Sequence, residues 1–255
     1  MAHRLWQLGL VGILMVCMLV VTYTQGGGSG EVLFPASAGD SVFIRSANGT
    51  RILIDTGNDA PALLGQLAHH QPPFAAGLAD YLILTHAGAA WQGGRTAVLH
   101  HGVREVWFLP AIASELADTC GEHTVRCKVI PRGAQFSLDG LRMRVVADDS
   151  LRIDWLGGAL LIAHSATALV ETGAWPRHGV RVVEMPWAMP PPRATLEAIA
   201  PTHIIYRSGQ KRNHPARLSY AERRIGAAHL LHRDIDGTIR LSLEDPAQVW
   251  RDAQE

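Results

Sequence analysis

Leu82-Ile83-Leu84-Thr85-His86-Ala87-Gly88-Ala89-Ala90-Trp91-Gln92-Gly93-Gly94 is the stretch on which the reading of this chain turns. A short apolar run closed by Thr-His reads as a buried strand running into a loop. Gly93-Gly94 then opens a segment, Gly94–His101, with helical spacing. The loop carries one imidazole, His86. Gly88, Ala90 and Trp91, further along the loop, supply no metal-binding group.

Outward from that loop, the chain reads as strands first and then alternation. Glu31–Phe34, Ser41–Ser46 and Arg51–Asp55 are β-rich runs, with Asn48-Gly49 as a hairpin turn between the last two. Ala60–His69 has helical periodicity, Tyr81–Leu84 and Glu105–Leu109 read as strands, and Ile112–Leu116 as a further helical turn. A β-rich middle covers Cys127–Ile130, Arg142–Val146, Leu151–Trp155 and Ala159–Ala163. Helices are then expected at Ala166–Glu171, Arg193–Ala200 and Pro215–Ile225. Strands are expected at Val180–Glu184, His203–Tyr206, His229–Leu231 and Thr238–Leu243. Two halves, each with a mixed sheet and surface helices, predict an α/β (α+β) four-layer αββα sandwich over residues 31–245, with 246–255 as a tail.

The composition fits a well-cored globular domain: 47% of residues are hydrophobic and 18% charged. A formal net charge of zero excludes an overall electrostatic pull toward nucleic acid or anionic membrane. Residues 1–24 are a different matter. Trp6–Tyr23 is an uncharged apolar run near the lower length limit for a transmembrane helix, preceded by Arg4 and followed by a glycine-rich linker over 25–30. We read it as an uncleaved single-pass anchor that leaves the C-terminal domain outside the cytoplasm; a cleaved signal peptide and a buried helix are the alternatives. Cys120 and Cys127 flank a short polar loop and suit a disulfide in an oxidising compartment, two unpaired thiols being the alternative.

The frame at Thr85–Gly94 resembles the metal-binding loop of metallo-β-lactamase-fold hydrolases, T-H-x-[HD]-x-D-H-x-G-G. Residues 31–245 further resemble the C-terminal extracytoplasmic domain of ComEC-type DNA-uptake proteins. The matches run in order: Ala38-Gly39-Asp40-Ser41, Ile52-Leu53-Ile54-Asp55-Thr56-Gly57, the Thr85–Gly94 loop and His101-Gly102-Val103. Ser208-Gly209 with Asn213-His214-Pro215, and the closing hairpin Arg233–Leu243, complete them. The departures fall on the metal positions. Gly88, Ala90 and Trp91 replace loop ligands, and His164-Ser165 stands where the family has Gly-Asp. Glu184-Met185-Pro186-Trp187-Ala188-Met189 replaces a V-P-H-H-G-S loop.

The resemblance therefore implies the scaffold of a metallohydrolase with a degenerate site at Asp55, His86, Gly88, Ala90, Trp91, Ser165 and Trp187. A hydrolytic centre needs three or four converging ligands and an open position for water, so no catalytic metal or other cofactor is expected. Asp55 is expected to organise backbone amides, His86 to be hydrogen-bonded in its loop, and Trp91 and Trp187 to fill the vacated cavity. The alternative is a zinc- or manganese-dependent hydrolase built on His86, His164 and His214. Arg207, Lys211, Arg212 and Arg217 form a basic run for DNA contact, with Tyr206 and Tyr220 the nearby aromatics; a solvated basic face is the alternative. The partners implied are the membrane, an envelope or DNA-uptake complex, and an unidentified small ligand in the vacated pocket.

Overall fold

The computed structural model describes residues 11–16, 18, 30–36, 39–71, 77–123, 125–164, 179–186, 193–207, 224–244 and 249–252. The first half supplies β1 (Glu31–Phe34), β2 (Val42–Arg45), β3 (Arg51–Ile54), β4 (Ala79–Leu84), β5 (Val103–Phe108) and β6 (Arg126–Val129). The second supplies β7 (Gln135–Leu138), β8 (Leu141–Ala147), β9 (Ser150–Trp155), β10 (Gly158–Ile162), β11 (Val180–Met185), β12 (His203–Tyr206), β13 (Arg224–Ile225) and β14 (Ala228–His232). Strands β15 (Thr238–Ser242) and β16 (Val249–Asp252) return to the first half, giving two eight-stranded sheets ordered β16-β15-β1-β2-β3-β4-β5-β6 and β13-β14-β12-β11-β10-β9-β8-β7. The first sheet is antiparallel from β16 to β3 and parallel through β3–β6; the second is antiparallel at both ends and parallel through β10, β11, β12 and β14.

Strand periodicity accounts for the layers. Ile52, Ile54 and Ile83 of the first sheet meet Met143, Ile153, Leu160 and Val182 of the second in one buried cluster between the sheets. The alternate residues Leu53, Leu82 and Leu84 face the other way. They pack on Leu63 and Leu67 of helix α1 (Ala60–His70) and, across helices α2 (Ala89–Gln92) and α3 (Arg95–His100), on Val98. Past α4 (Leu116–Glu122), Leu161, Val183 and Ile204 pack on Leu196 and Ile199 of helix α5 (Arg193–Ile199). Three apolar layers separate four structural ones, so the expected αββα sandwich is the fold observed. Helix α1 starts where the sequence provides a cap: the Asp59 carboxylate accepts from the Ala62 amide at 2.9 Å, with proline in the first turn.

The structure corrects several boundaries. Arg224–Ile225, read as the end of a helix, is strand β13, and β7 was not anticipated. Strand β16 carries the first sheet into the segment read as a tail. The expected helix Ala166–Glu171, and Pro215 to residue 223, lie outside the described residues. So does most of the apolar N-terminal run. Residues 11–16 and 18 of it are helical, with Val11, Ile13, Leu14, Met15 and Val16 all exposed, so this part is not a buried core helix. Among the described residues, no helix is long and apolar enough to cross a membrane.

Candidate functional site

The Thr85–Gly94 loop lies beyond β4, beside the end of β3, and backbone contacts hold it. Asp55, buried and at φ 54°, turns the chain out of β3 in a conformation uncommon for a residue with a side chain. Its carboxylate accepts the Thr85 amide at 2.8 Å and the Thr85 hydroxyl at 2.5 Å. Asp55 therefore organises a backbone amide, as expected from the sequence. The Thr56 amide donates to the Trp91 carbonyl at 2.7 Å and Gly94 donates to Gly57 at 3.1 Å. A Cβ on Gly94 would stand 2.7 Å from the Thr56 carbonyl oxygen, which explains the glycine there. Gly88, at φ 111°, makes the turn into α2 and offers no side chain.

Opposite this loop, just past the end of β10, lies His164, also buried. Its Nε2 lies 2.5 Å from the Thr85 hydroxyl, and its Nδ1 lies 2.5 Å from Nη1 of Arg207. Nη2 of the same guanidinium is 3.3 Å from Nε2. Arg207 follows β12 directly and is 2% exposed. Its Nε lies 3.4 Å from Glu184 at the end of β11, and Nη2 lies 3.5 Å from the other oxygen of that carboxylate. Glu184 is ion-paired as well to Arg233 of helix α6 (Arg233–Asp236). Arg233 in turn donates to the carbonyls of Gly39 at 2.9 Å and Ser41 at 2.6 Å, tying the β1–β2 turn to the centre. A chain of buried groups thus runs Asp55–Thr85–His164–Arg207–Glu184–Arg233.

A guanidinium can only donate, so His164 meets Arg207 with the lone pair of Nδ1. The proton then sits on Nε2 and is given to Thr85, whose hydroxyl donates to Asp55. Burial first, then the Arg207 charge, then His86 hold His164 well below the ordinary histidine range, consistent with a neutral ring. Burial pushes the Asp55 carboxyl up to about 7, against the pull of the Thr85 hydrogen bonds. Asp40, beside the two arginines, is pushed up to about 6 by burial.

His86 packs nearly parallel to His164, ring centroids 5.3 Å apart, and Trp91 closes edge-on to His86 at 4.4 Å. Trp91 also contacts the His164 ring at 5.9 Å, so it lies against both imidazoles. The expected hydrogen bond of the His86 ring is not found. Its Nδ1 and the Trp91 indole nitrogen are buried without a hydrogen-bond partner among the described residues, and the bonded atom is the His86 carbonyl, 2.7 Å from the Gln92 amide.

These residues do not fit a metal ion. A ligating imidazole must offer a lone pair about 2 Å from the ion. In His164 both nitrogens are already engaged, one of them by a cation. Among the described residues no group of three His, Cys, Asp or Glu side chains is arranged to hold a metal. Ser165, Trp187 and His214 lie outside the described residues, as do Lys211, Arg212, Arg217 and Tyr220. Arg207 was read as a DNA contact; it is instead buried within the centre, and Tyr206 is buried behind it. Glu184 and Arg233 were not singled out from the sequence. Away from this centre, Cys120 and Cys127 are joined by a disulfide, Cα–Cα 6.3 Å, between α4 and β6.

No protein-family model matches the chain, and no curated protein does. Solved structures do match it. The metallo-β-lactamase fold protein YhfI from Bacillus subtilis aligns over 88% of this chain and all of its own, with TM-score 0.57 and 11% identity. A diphosphatase of the PhnP family aligns over 76% of this chain and 81% of its own, TM-score 0.52, 14% identity. The E377D mutant of the CmlA beta-hydroxylase aligns over 84% of this chain but 54% of its own, TM-score 0.54, 13% identity. The chain has the metallo-β-lactamase fold. At such identities the likeness carries the fold and not the chemistry.

Proposed function

We propose that this chain is a metal-independent protein of the metallo-β-lactamase fold with a binding or structural role. In this reading the N-terminal apolar segment holds it to a membrane, its domain lies outside the cytoplasm, and it works beside an envelope or DNA-uptake complex. The observation that carries the first part is the Arg207 guanidinium on His164 Nδ1. It removes a lone pair from any ligand set and brings a fixed positive charge to the place a cation would need. The solved neighbours include a protein named as a diphosphatase, yet His164 here is held by Thr85 and Arg207.

Two observations support the placement. The Cys120–Cys127 bond suits an oxidising compartment. The helical residues 11–16 turn apolar side chains outward, which suits a lipid surround. The ComEC-type partnership rests on the ordered sequence matches alone. The test is turnover of a chromogenic phosphodiester by full-length protein with added zinc or manganese. No turnover above that of His86→Ala is expected, whereas metal-stimulated turnover abolished by that substitution would establish the hydrolase instead.

A further inference from the structure

A cleft of about 640 Å³, within the size range of small-molecule sites, lies against β7, β8 and β9 and shares no lining residue with the buried centre. In β8, Leu141, Met143 and Val145 point into the inter-sheet core, so the alternate residues Arg142 and Arg144 project from the opposite face. The register sets Arg144 between Gln135 and Arg152, and Arg142 between Ser137 and Asp154. All six line the cleft.

Two features of this arrangement call for an anion. Arg144 and Arg152 are direct cross-strand partners, and like charges so placed repel. Among the described residues that line the cleft, the one carboxylate, Asp154, does not neutralise the set. Asp154 stands opposite Arg142 in register, but its Oδ1 is taken by Arg152, 2.8 Å from Nε and 2.6 Å from Nη2. Neither Arg142 nor Arg144 is paired with a carboxylate among the described residues. Three arginines and one aspartate leave two positive charges in a cleft of a chain whose net charge is zero. At the rim, the β9–β10 turn holds Leu156 with its side chain fully in solvent.

We propose that this cleft binds an organic phosphate. The guanidinium groups of Arg142 and Arg144, whose backbone positions are about 7 Å apart along the strand, grip the dianionic phosphate by charge-assisted forks. Gln135 and Ser137 supply neutral hydrogen bonds, and Leu156 borders the carbon body of the ligand. The same chemistry is offered by a soluble phosphate ester and by a phospholipid headgroup, and the experiment separates them. The site stands whether or not the buried centre holds metal.

Full-length protein in detergent is titrated calorimetrically with ADP and, separately, with monomeric dihexanoylphosphatidic acid, both of which end in a phosphate that can be a dianion. Wild type is compared with Arg142→Ala/Arg144→Ala and with Arg126→Ala, which removes a charge from the other sheet; unfolding curves establish that the variants fold. Binding of at least one probe with Kd below about 1 mM, weakened about tenfold or more only in the double variant, is the expected result. Binding of ADP alone assigns a soluble ester, and binding of the lipid alone a headgroup. Absence of binding of both probes, retention of affinity in the double variant, or equal loss in Arg126→Ala would overturn the proposal.

Discussion

Nη1 of Arg207 stands 2.5 Å from Nδ1 of His164, and Nε of the same guanidinium stands 3.4 Å from Glu184. One side chain therefore saturates an imidazole and faces a carboxylate at the mouth of a metallo-β-lactamase fold. Among the described residues, the consequence is a centre in which ion pairs and hydrogen bonds run from Asp55 to Arg233.

Removing that charge should unfold much of the centre's stability. In Arg207→Ala, Glu184 loses one of its two cations and His164 Nδ1 loses its donor, all in a buried setting. A loss of about 3–5 kcal/mol is expected from denaturant midpoints. Arg207→Lys should recover little, because an ammonium cannot span His164 and Glu184 as a planar fork does. A loss in Arg207→Ala below about 1 kcal/mol would mean the pair is incidental.

The centre also carries two opposed pH dependences. The native Asp55 carboxyl titrates near 7, against an ordinary value of 3.8, and Asp40 near 6. The native state thus holds these protons longer, and their contribution falls as pH rises from about 4 toward 7. The native His164 titrates well below its ordinary 6.5, so its contribution is complete above that pH and is lost as pH falls below it. His164→Gln should therefore leave stability that declines with rising pH between pH 5 and 6.5. Asp40→Asn/Asp55→Asn should leave stability that increases over the same interval, each titrating group adding at most about 1.4 kcal/mol per pH unit. Equal slopes in the two variants would contradict the assignment.

The disulfide gives a direct compartment readout. The chain has three cysteines, and Cys120 and Cys127 close a loop with a sequence separation of 7. Denatured, unreduced protein should show the single Cys17 thiol and, after reduction, three. Cys120→Ser/Cys127→Ser should cost about 2.5 kcal/mol on the chain-entropy account. Three titratable thiols before reduction would withdraw both the bond and its argument for an oxidising compartment.

Gly94 separates scaffold from chemistry. Its missing Cβ is what lets the loop approach the Thr56 carbonyl, so Gly94→Ala should cost about 1–3 kcal/mol of stability. If the variant is as stable as wild type, the glycine is not held there by packing.

Much of the sandwich was legible because its strands carry period-two patterns and its turns carry glycine, as at Asn48-Gly49. β7 was missed because Gln135–Leu138 alternates over only 4 residues, with two polar positions facing the arginine cleft rather than an apolar layer. That Gly88, Ala90 and Trp91 carry no metal-binding side chain was equally plain in the sequence. The arginine centre was not. Arg207 sits in a run of basic residues that reads as surface, and only the end of β12 turns it inward. Glu184 did leave a signal: it shares a strand face with Val182, and Arg181 is the one other charged residue of the strand. A buried acid there required a buried cation, though nothing in the sequence said that Arg207 and Arg233 would provide it.

Metal stoichiometry of the purified full-length protein, measured by inductively coupled plasma mass spectrometry after equilibration with zinc and manganese and removal of excess, tests the central claim most directly. A metal-free protein is predicted, with Arg207 holding His164. One or two equivalents per chain, lost in His86→Ala, would contradict it.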